Sequence, residues 1–308
     1  MKRFLIARLS SLGDVVCSLP AASALKASFP DSEIVWVCDP RFAAIVERCK
    51  SVDKVIRTGV GPNPKTWLVS PGRFDVALDL QGLLKSGLIV LGSRAKEKLG
   101  YHWQREGSSL FSRRVLPDPT SFHVVDQYVD VARAAGGNGD RAEFALNPWD
   151  EDVKSIRAKI ETEKIVTINA GAGWVTKRWP SEHVASLCDG LHENGVTAVL
   201  IGGNAQTDME TADAAIKLCK NPPVNLVGQT NLGELIAVIA QSAAHVAGDT
   251  GSVHISAALG TPAIGLYSIT RPQRSCPYGQ IERCHYDSES LANIKPESVL
   301  KTVLEAIG

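Results

Sequence analysis

Short apolar runs alternate with segments of helical periodicity along almost the whole chain, and this alternation limits the fold more than any other feature. Runs at 4–7, 33–37, 75–80, 165–169, 197–201, 224–226, 245–247 and 263–267 predict buried strands. Helical patterns fall at 14–28, 181–193, 208–218, 232–241 and 252–259. Near-continuous apolar strands separated by amphipathic helices predict parallel sheets covered on both faces. At 308 residues the chain exceeds one ordinary core, so two domains are expected. The pattern breaks at Ala145-Leu146-Asn147-Pro148-Trp149-Asp150, which sets the expected domains at 1–147 and 148–308. The last helix is a candidate to pack back on the first of them. The fold class is therefore α/β: two doubly wound, Rossmann-like domains facing across a central cleft, the usual place for a ligand.

Composition removes several classes of function. Apolar residues at 44% and charged residues at 21% exclude a disordered or fibrous chain. Lys and Arg together number 33, as do Asp and Glu, so no global field recruits nucleic acid. Apolar stretches fall short of the roughly 18 residues a membrane span needs. Met1-Lys2-Arg3-Phe4-Leu5-Ile6 turns polar again at Arg8 and Ser10, too soon for a signal peptide. A cytoplasmic protein is expected, in peripheral contact with the inner face of the membrane. The seven cysteines form no CxxC pair. Cys17, Cys38, Cys49, Cys188 and Cys219 lie in apolar-periodic segments and read as reduced core thiols. The spacing of Cys276, Cys284 and His285 fits no zinc pattern, and no metal is expected.

Charge is uneven. Residues 1–150 hold 20 Lys and Arg against 16 Asp and Glu. Within them, Lys85, Arg94, Lys96, Lys98, Arg105, Arg113 and Arg114 face only Glu97 and Glu106. This stretch is either a solvated face or a pocket for an anionic substrate at a membrane surface.

Three strand-to-helix loops carry the candidate chemistry. The first is Arg8-Leu9-Ser10-Ser11-Leu12-Gly13-Asp14, where Gly13 permits a tight turn and helical N–H groups point beyond the strand end. Asp14 reads as a helix cap or, from its place at the cleft, as a catalytic carboxylate. The second is Asn169-Ala170-Gly171-Ala172-Gly173-Trp174-Val175-Thr176-Lys177-Arg178-Trp179-Pro180. Its small residues let a ligand approach the backbone, Lys177 and Arg178 supply charge for a phosphate, and Pro180 suits the first helical position. The third is Gly248-Asp249-Thr250-Gly251-Ser252-Val253-His254. Asp-Thr-Gly-Ser also occurs in aspartic proteases, but those need two copies on a β-rich fold. Here the Thr250 hydroxyl and Gly251 amide would donate to phosphate, and Asp249 would accept from sugar hydroxyls. His254 is either a ligand contact or a packing residue. No strand is followed by GxGxxG, which disfavours a nicotinamide dehydrogenase.

Together with Asp79-Leu80-Gln81-Gly82-Leu83-Leu84-Lys85-Ser86, these loops resemble the lipopolysaccharide heptosyltransferases of glycosyltransferase family 9, which have the GT-B architecture. The pieces Ser10-Ser11-Leu12-Gly13-Asp14, Lys177-Arg178-Trp179-Pro180 and Asp249-Thr250-Gly251-Ser252-Val253-His254 occur in the family's order across nearly the whole chain. Arg105-Glu106 and Ser109-Leu110-Phe111 are most similar to the heptosyltransferase I branch. The resemblance implies an ADP-heptose donor, transfer with inversion, no metal and no cofactor. The implied acceptor is an anionic glycolipid, the Kdo region of lipid A. It carries a general-base role onto Asp14 and diphosphate contact onto Lys177, Thr250 and Gly251, with heptose contact onto Asp249. Gly171, Thr176, Arg178 and His254 complete the implied donor set, and Ser11, Gly13, Gln81, Lys85, Arg105 and Arg113 the implied acceptor set. One departure bears on the acceptor: residues 58–71 are rich in Gly and Pro with only Lys65 charged, where heptosyltransferase I enzymes carry an arginine cluster. A later heptose, another nucleotide sugar, or nucleotide-sugar binding without turnover are the alternatives.

Overall fold

The computed structural model describes residues 1–58, 72–139, 142–171 and 178–308, in two compact units, Met1–Leu146 and Asn147–Gly308. In the first, β1 (Arg3–Ala7), β2 (Glu33–Cys38), β3 (Lys54–Arg57), β4 (Val76–Asp79), β5 (Glu97–Tyr101) and β6 (Arg113–Val115) form a parallel sheet. Their order is β3-β2-β1-β4-β5-β6. β1 lies in the middle with a neighbour on each side and helices on both faces, so its residues 4–7 are fully buried. Each large apolar side chain buried there contributes about 1.5–3 kcal/mol. Helices α1 (Leu12–Ser28), α2 (Ala43–Glu47), α3 (Leu84–Gly92) and α4 (Val124–Ala134) cover the sheet, and α1 packs on α4.

The second unit repeats the plan. It opens with α5 (Asp150–Lys159), and its strands are β7 (Ile165–Asn169), β8 (Thr197–Ile201), β9 (Val224–Asn225), β10 (Ala244–Gly248), β11 (Ala263–Tyr267) and β12 (His285–Tyr286). They are parallel in the order β12-β11-β10-β7-β8-β9. Between them run α6 (Ser181–Glu193), α7 (Gln206–Leu218), α8 (Leu232–Ala240), α9 (Gly251–Leu259) and the short α10 (Pro272–Ser275). The final helix, α11 (Pro296–Ile307), buries Val299 and Val303 in this second core beside Leu187, Val246 and Ile264. Its apolar face thus contributes to the core of its own unit.

Each sheet therefore reverses direction at one point, between β1 and β4 in the first unit and between β7 and β10 in the second. In doubly wound sheets the carboxyl edge at this reversal is where ligands bind. All three candidate loops begin there. Among the described residues no helix is long and apolar enough to cross a membrane.

Candidate active site

In the first unit the loop after β1 turns Arg8 inward. Its side chain is buried, donates from Nη1 to the Leu80 carbonyl at 2.6 Å, and lies 5.3 Å from the centre of the Tyr128 ring. Arg8 Nη2 stands 2.8 Å from Asp14 Oδ1. Asp14 Oδ2 accepts from the Ser11 backbone N–H at 3.2 Å and the Ser11 hydroxyl at 2.8 Å. Asp14 is the third residue of α1, so it supplies the return bond of a capping box. The helix starts at Leu12, earlier than the periodicity predicts, and Gly13 lies inside the first turn without a positive φ. Ser10 and Ser11 make the turn that the sequence assigns to Gly13.

Burial by itself would raise the Asp14 carboxyl, but the Arg8 guanidinium and the two Ser11 bonds outweigh it and hold the group below the usual carboxylate range. The side chain stays 41% exposed. Cap and accessible carboxylate are thus the same group.

Gln81 joins the loops that flank the reversal: its Oε1 accepts from the Leu9 N–H at 2.7 Å, and its Nε2 donates to Ser10 Oγ at 3.4 Å. Beneath it, the fully buried Asp79 accepts from the Gln81 and Gly82 amides at 3.1 and 2.8 Å, and burial pushes its carboxyl up. Gly82 has φ +71°, and a Cβ there would stand 2.6 Å from the Trp103 carbonyl. The Arg105 N–H donates to the Gly82 carbonyl at 2.7 Å, which fixes the loop after β5 on the same edge. Lys85 sits half-buried in the first turn of α3, also at that edge. Ser11 is exposed.

The basic stretch does not form one patch. Arg113 pairs at 3.1 Å with Glu97, the first residue of β5, toward the amino end of the sheet. Lys96 pairs with Asp75 at 2.8 Å. The structure brings Lys85 and Arg105 to the edge that carries Asp14 and leaves Arg113 away from it.

In the second unit, Asn169 ends β7 and accepts from the Gly171 N–H at 3.1 Å through Oδ1. Its Nδ2 donates to Ser252 Oγ at 3.0 Å. Thr250 caps α9, and Gly251 is the first helical residue. Asp249, Thr250 and Gly251 are half-exposed at the carboxyl edge, whereas His254 is buried in α9. A Cβ at Gly171 would stand 2.6 Å from Asp208 Oδ1, so a larger residue there would have to displace that carboxylate. Arg178 is half-buried, and Pro180 is the cap residue of α6, one position before the place predicted. Trp179 anchors this connection by donating to the Ile294 carbonyl at 3.0 Å. Thr176 and Lys177, like residues 59–71, lie outside the described residues.

Several residues were not found by sequence reasoning: Arg8 as the partner of Asp14, and His245, Ser252 and Asn169 behind the third loop. The available signal was a polar residue inside an apolar strand, His245 in Ala244-His245-Val246-Ala247-Gly248. Among the described residues no cluster of three or more His, Cys, Asp or Glu is placed to hold a metal, and His285 instead bonds Thr302 at 3.0 Å.

Comparison with known proteins matches the chain to a family. The model of glycosyltransferase family 9 (heptosyltransferase) matches residues 69–303. The chain is 27% identical over 288 residues to the lipopolysaccharide core heptosyltransferase OpsX of Haemophilus influenzae, covering 91% of this chain and 83% of that one. In fold it matches a family 9 glycosyltransferase of Veillonella parvula with a TM-score of 0.87 at 20% identity, over 99% of this chain and 97% of that one. It also matches the E. coli heptosyltransferase WaaC solved with ADP-2-deoxy-2-fluoro heptose, with a TM-score of 0.78 at 25% identity over 98% and 99% of the two chains. With two Rossmann-like units of the GT-B class and a family model spanning most of its length, this chain belongs to glycosyltransferase family 9, the heptosyltransferases.

Proposed function

We propose that the chain transfers heptose from ADP-heptose to the Kdo region of the lipopolysaccharide inner core, with inversion at the anomeric carbon and Asp14 as general base. The observation that carries this reading is the ionised, half-exposed carboxylate of Asp14 at the reversal point of the first sheet. Attack by a sugar hydroxyl forms a bond from acceptor oxygen to anomeric carbon while the bond to the β-phosphate oxygen breaks. The hydroxyl proton passes to Asp14, and ADP departs. Proton transfer comes late, when the hydroxyl has become acidic, so a carboxylate of low pKa suffices provided it lies within roughly 2.6–3.2 Å of that hydroxyl.

Donor binding is assigned to the second unit. The Thr250 hydroxyl and the Gly251 N–H at the start of α9 suit a diphosphate oxygen, with Arg178 and Lys177 balancing its charge. Asp249 suits sugar hydroxyls. Asp208, beside Gly171 at the same sheet edge, is a further acceptor for hydroxyl groups. No metal is needed where cations and amides meet the leaving diphosphate.

Acceptor binding is assigned to the first unit, with Ser11, Gln81, Lys85 and Arg105 on the edge beside Asp14. That edge also exposes Trp103 at 52%, Leu116 at 74% and Phe122 at 77%, on the segments that follow β5 and β6. Exposed apolar side chains rimmed by cations suit an anionic glycolipid presented at the cytoplasmic face of the inner membrane. The test is mass spectrometry of the lipopolysaccharide core from cells lacking this chain. A core truncated directly after Kdo is expected. A stub that already carries a heptose would move the chain to a later transfer step, and an intact core would overturn the reading.

A further inference from the structure

Behind the third loop lies a chain of polar groups in an otherwise apolar sheet. His245 on β10 is fully buried. Its Nδ1 lies 3.0 Å from Thr167 Oγ1 on β7, and its Nε2 lies 3.0 Å from Ser252 Oγ. Ser252 Oγ also accepts from Asn169 Nδ2 and stands 3.0 Å from Thr250 Oγ1. Burial drives the ring down to about 3 against an opposing contact with the Thr167 backbone, so it is neutral at working pH and carries one N–H.

Only two proton arrangements pair all of these side chains. With the proton on Nδ1, the ring donates to Thr167, Ser252 donates to Nε2, and Thr250 must donate to Ser252. Thr250 then shows only lone pairs outward. With the proton on Nε2, Thr167 donates to Nδ1 and the ring donates to Ser252. Both acceptor sites of Ser252 are now filled, by His245 and Asn169, so its own proton goes to Thr250. The Thr250 proton is left to point out of the network.

We propose that His245 is a positioning residue for donor binding: in its Nε2–H tautomer it directs the hydrogen bonds of Ser252 so that the Thr250 hydroxyl donates to a diphosphate oxygen. This rests on the reading that Thr250 contacts the donor diphosphate. An anion repels the lone pairs of the other arrangement, so nucleotide binding selects the Nε2–H form. The cost of the wrong tautomer is a lost charge-assisted bond.

The test is ADP binding by calorimetry in a double-mutant cycle. His245→Leu is expected to weaken ADP about tenfold, and His245→Gln, whose amide N–H reaches the Nε2 position, to restore most of that. In a Thr250→Val background the His245→Leu effect is expected to vanish, because the hydroxyl it orients is gone. Equal loss in both backgrounds would overturn the relay. Unchanged ADP affinity in Thr250→Val alone would instead remove Thr250 from the donor site and take the reading beneath the proposal with it. Nitrogen-15 NMR of the unsubstituted protein saturated with ADP needs no variant: an Nε2–H ring at His245 is expected, and an Nδ1–H ring contradicts the proposal.

Discussion

Arg8 Nη2 lies 2.8 Å from Asp14 Oδ1, and Arg8 is buried while Asp14 reaches solvent. The arginine is held from below by the Leu80 carbonyl and the Tyr128 ring, so the charge that keeps Asp14 ionised cannot swing away. Burial of Asp14 pulls in the other direction, and the pair decides which prevails.

Removing that charge should therefore move the acid limb of activity. In the wild type, kcat/KM is expected to stay level down to a pH below about 3.9, the ordinary value for aspartate. Arg8→Gln leaves the burial and removes the cation, so the Asp14 pKa rises and the limb shifts to higher pH. A pH profile of kcat/KM that superimposes on the wild type would show that Arg8 does not set the protonation of the base.

The proposed function has the donor charge neutralised in the second unit. Lys177→Ala should forfeit a charge-assisted bond of about 1.5–3 kcal/mol, raising the ADP dissociation constant about ten- to a hundredfold. Unchanged ADP affinity by calorimetry would place Lys177 outside the site.

The division of the basic stretch makes a differential expectation. Lys85→Ala and Arg105→Ala should raise the KM for the glycolipid, more strongly at low salt, while leaving ADP binding intact. Arg113→Ala, whose partner is Glu97, should change neither. Phe122→Ser should reduce sedimentation with anionic vesicles. If Arg113→Ala matched Arg105→Ala, the acceptor surface would have to extend to the other end of the sheet.

Stability has its own titrating group. Glu234 accepts from Lys159 at 2.8 Å, from Ser155 at 2.5 Å and from the Asn231 N–H at 2.9 Å, which ties α5 to α8. The Lys159 bond leads in holding its carboxyl at about 2. A folded pKa below the unfolded one stabilises above about 4.3, and the contribution fades as pH falls toward the folded value. Glu234→Gln should cost about 1–2 kcal/mol near neutrality by urea unfolding, with the gap to wild type narrowing in acid. A constant gap across that range would assign the loss to packing.

How much of this was legible follows from where each residue sits. β1, β7, β8 and β11 are buried on both faces and read as continuous apolar runs, so their bounds lie at or within one residue of the predicted ones. β3, β5 and β6 carry Lys54, Arg57, Glu97, Lys98, Arg113 and Arg114 near the sheet margin, and short charged strands give no such signal. Asp14 stood out from its loop. Arg8 did not, because its role depends on Leu80 and Tyr128, distant in sequence and brought near by the pairing of β1 with β4 and of α1 with α4. His245 was hidden for a similar reason: Thr167 meets it only across the β7–β10 pairing, and Ser252 only once the loop after β10 turns into α9.

Asp14→Asn tests the central claim most directly. Asparagine keeps the shape and can still accept from Ser11, so the α1 cap is kept, while the charge pair with the buried Arg8 is lost and the melting temperature should fall without abolishing the fold. The measurement is kcat for heptose transfer to the Kdo-lipid acceptor, followed by ADP release, with ADP affinity determined in parallel. The account expects kcat to fall by about 10²–10⁴ with ADP affinity almost unchanged. A variant that turns over normally, or that loses activity only in step with a lower melting temperature, would leave Asp14 as a helix cap and contradict its role as the base.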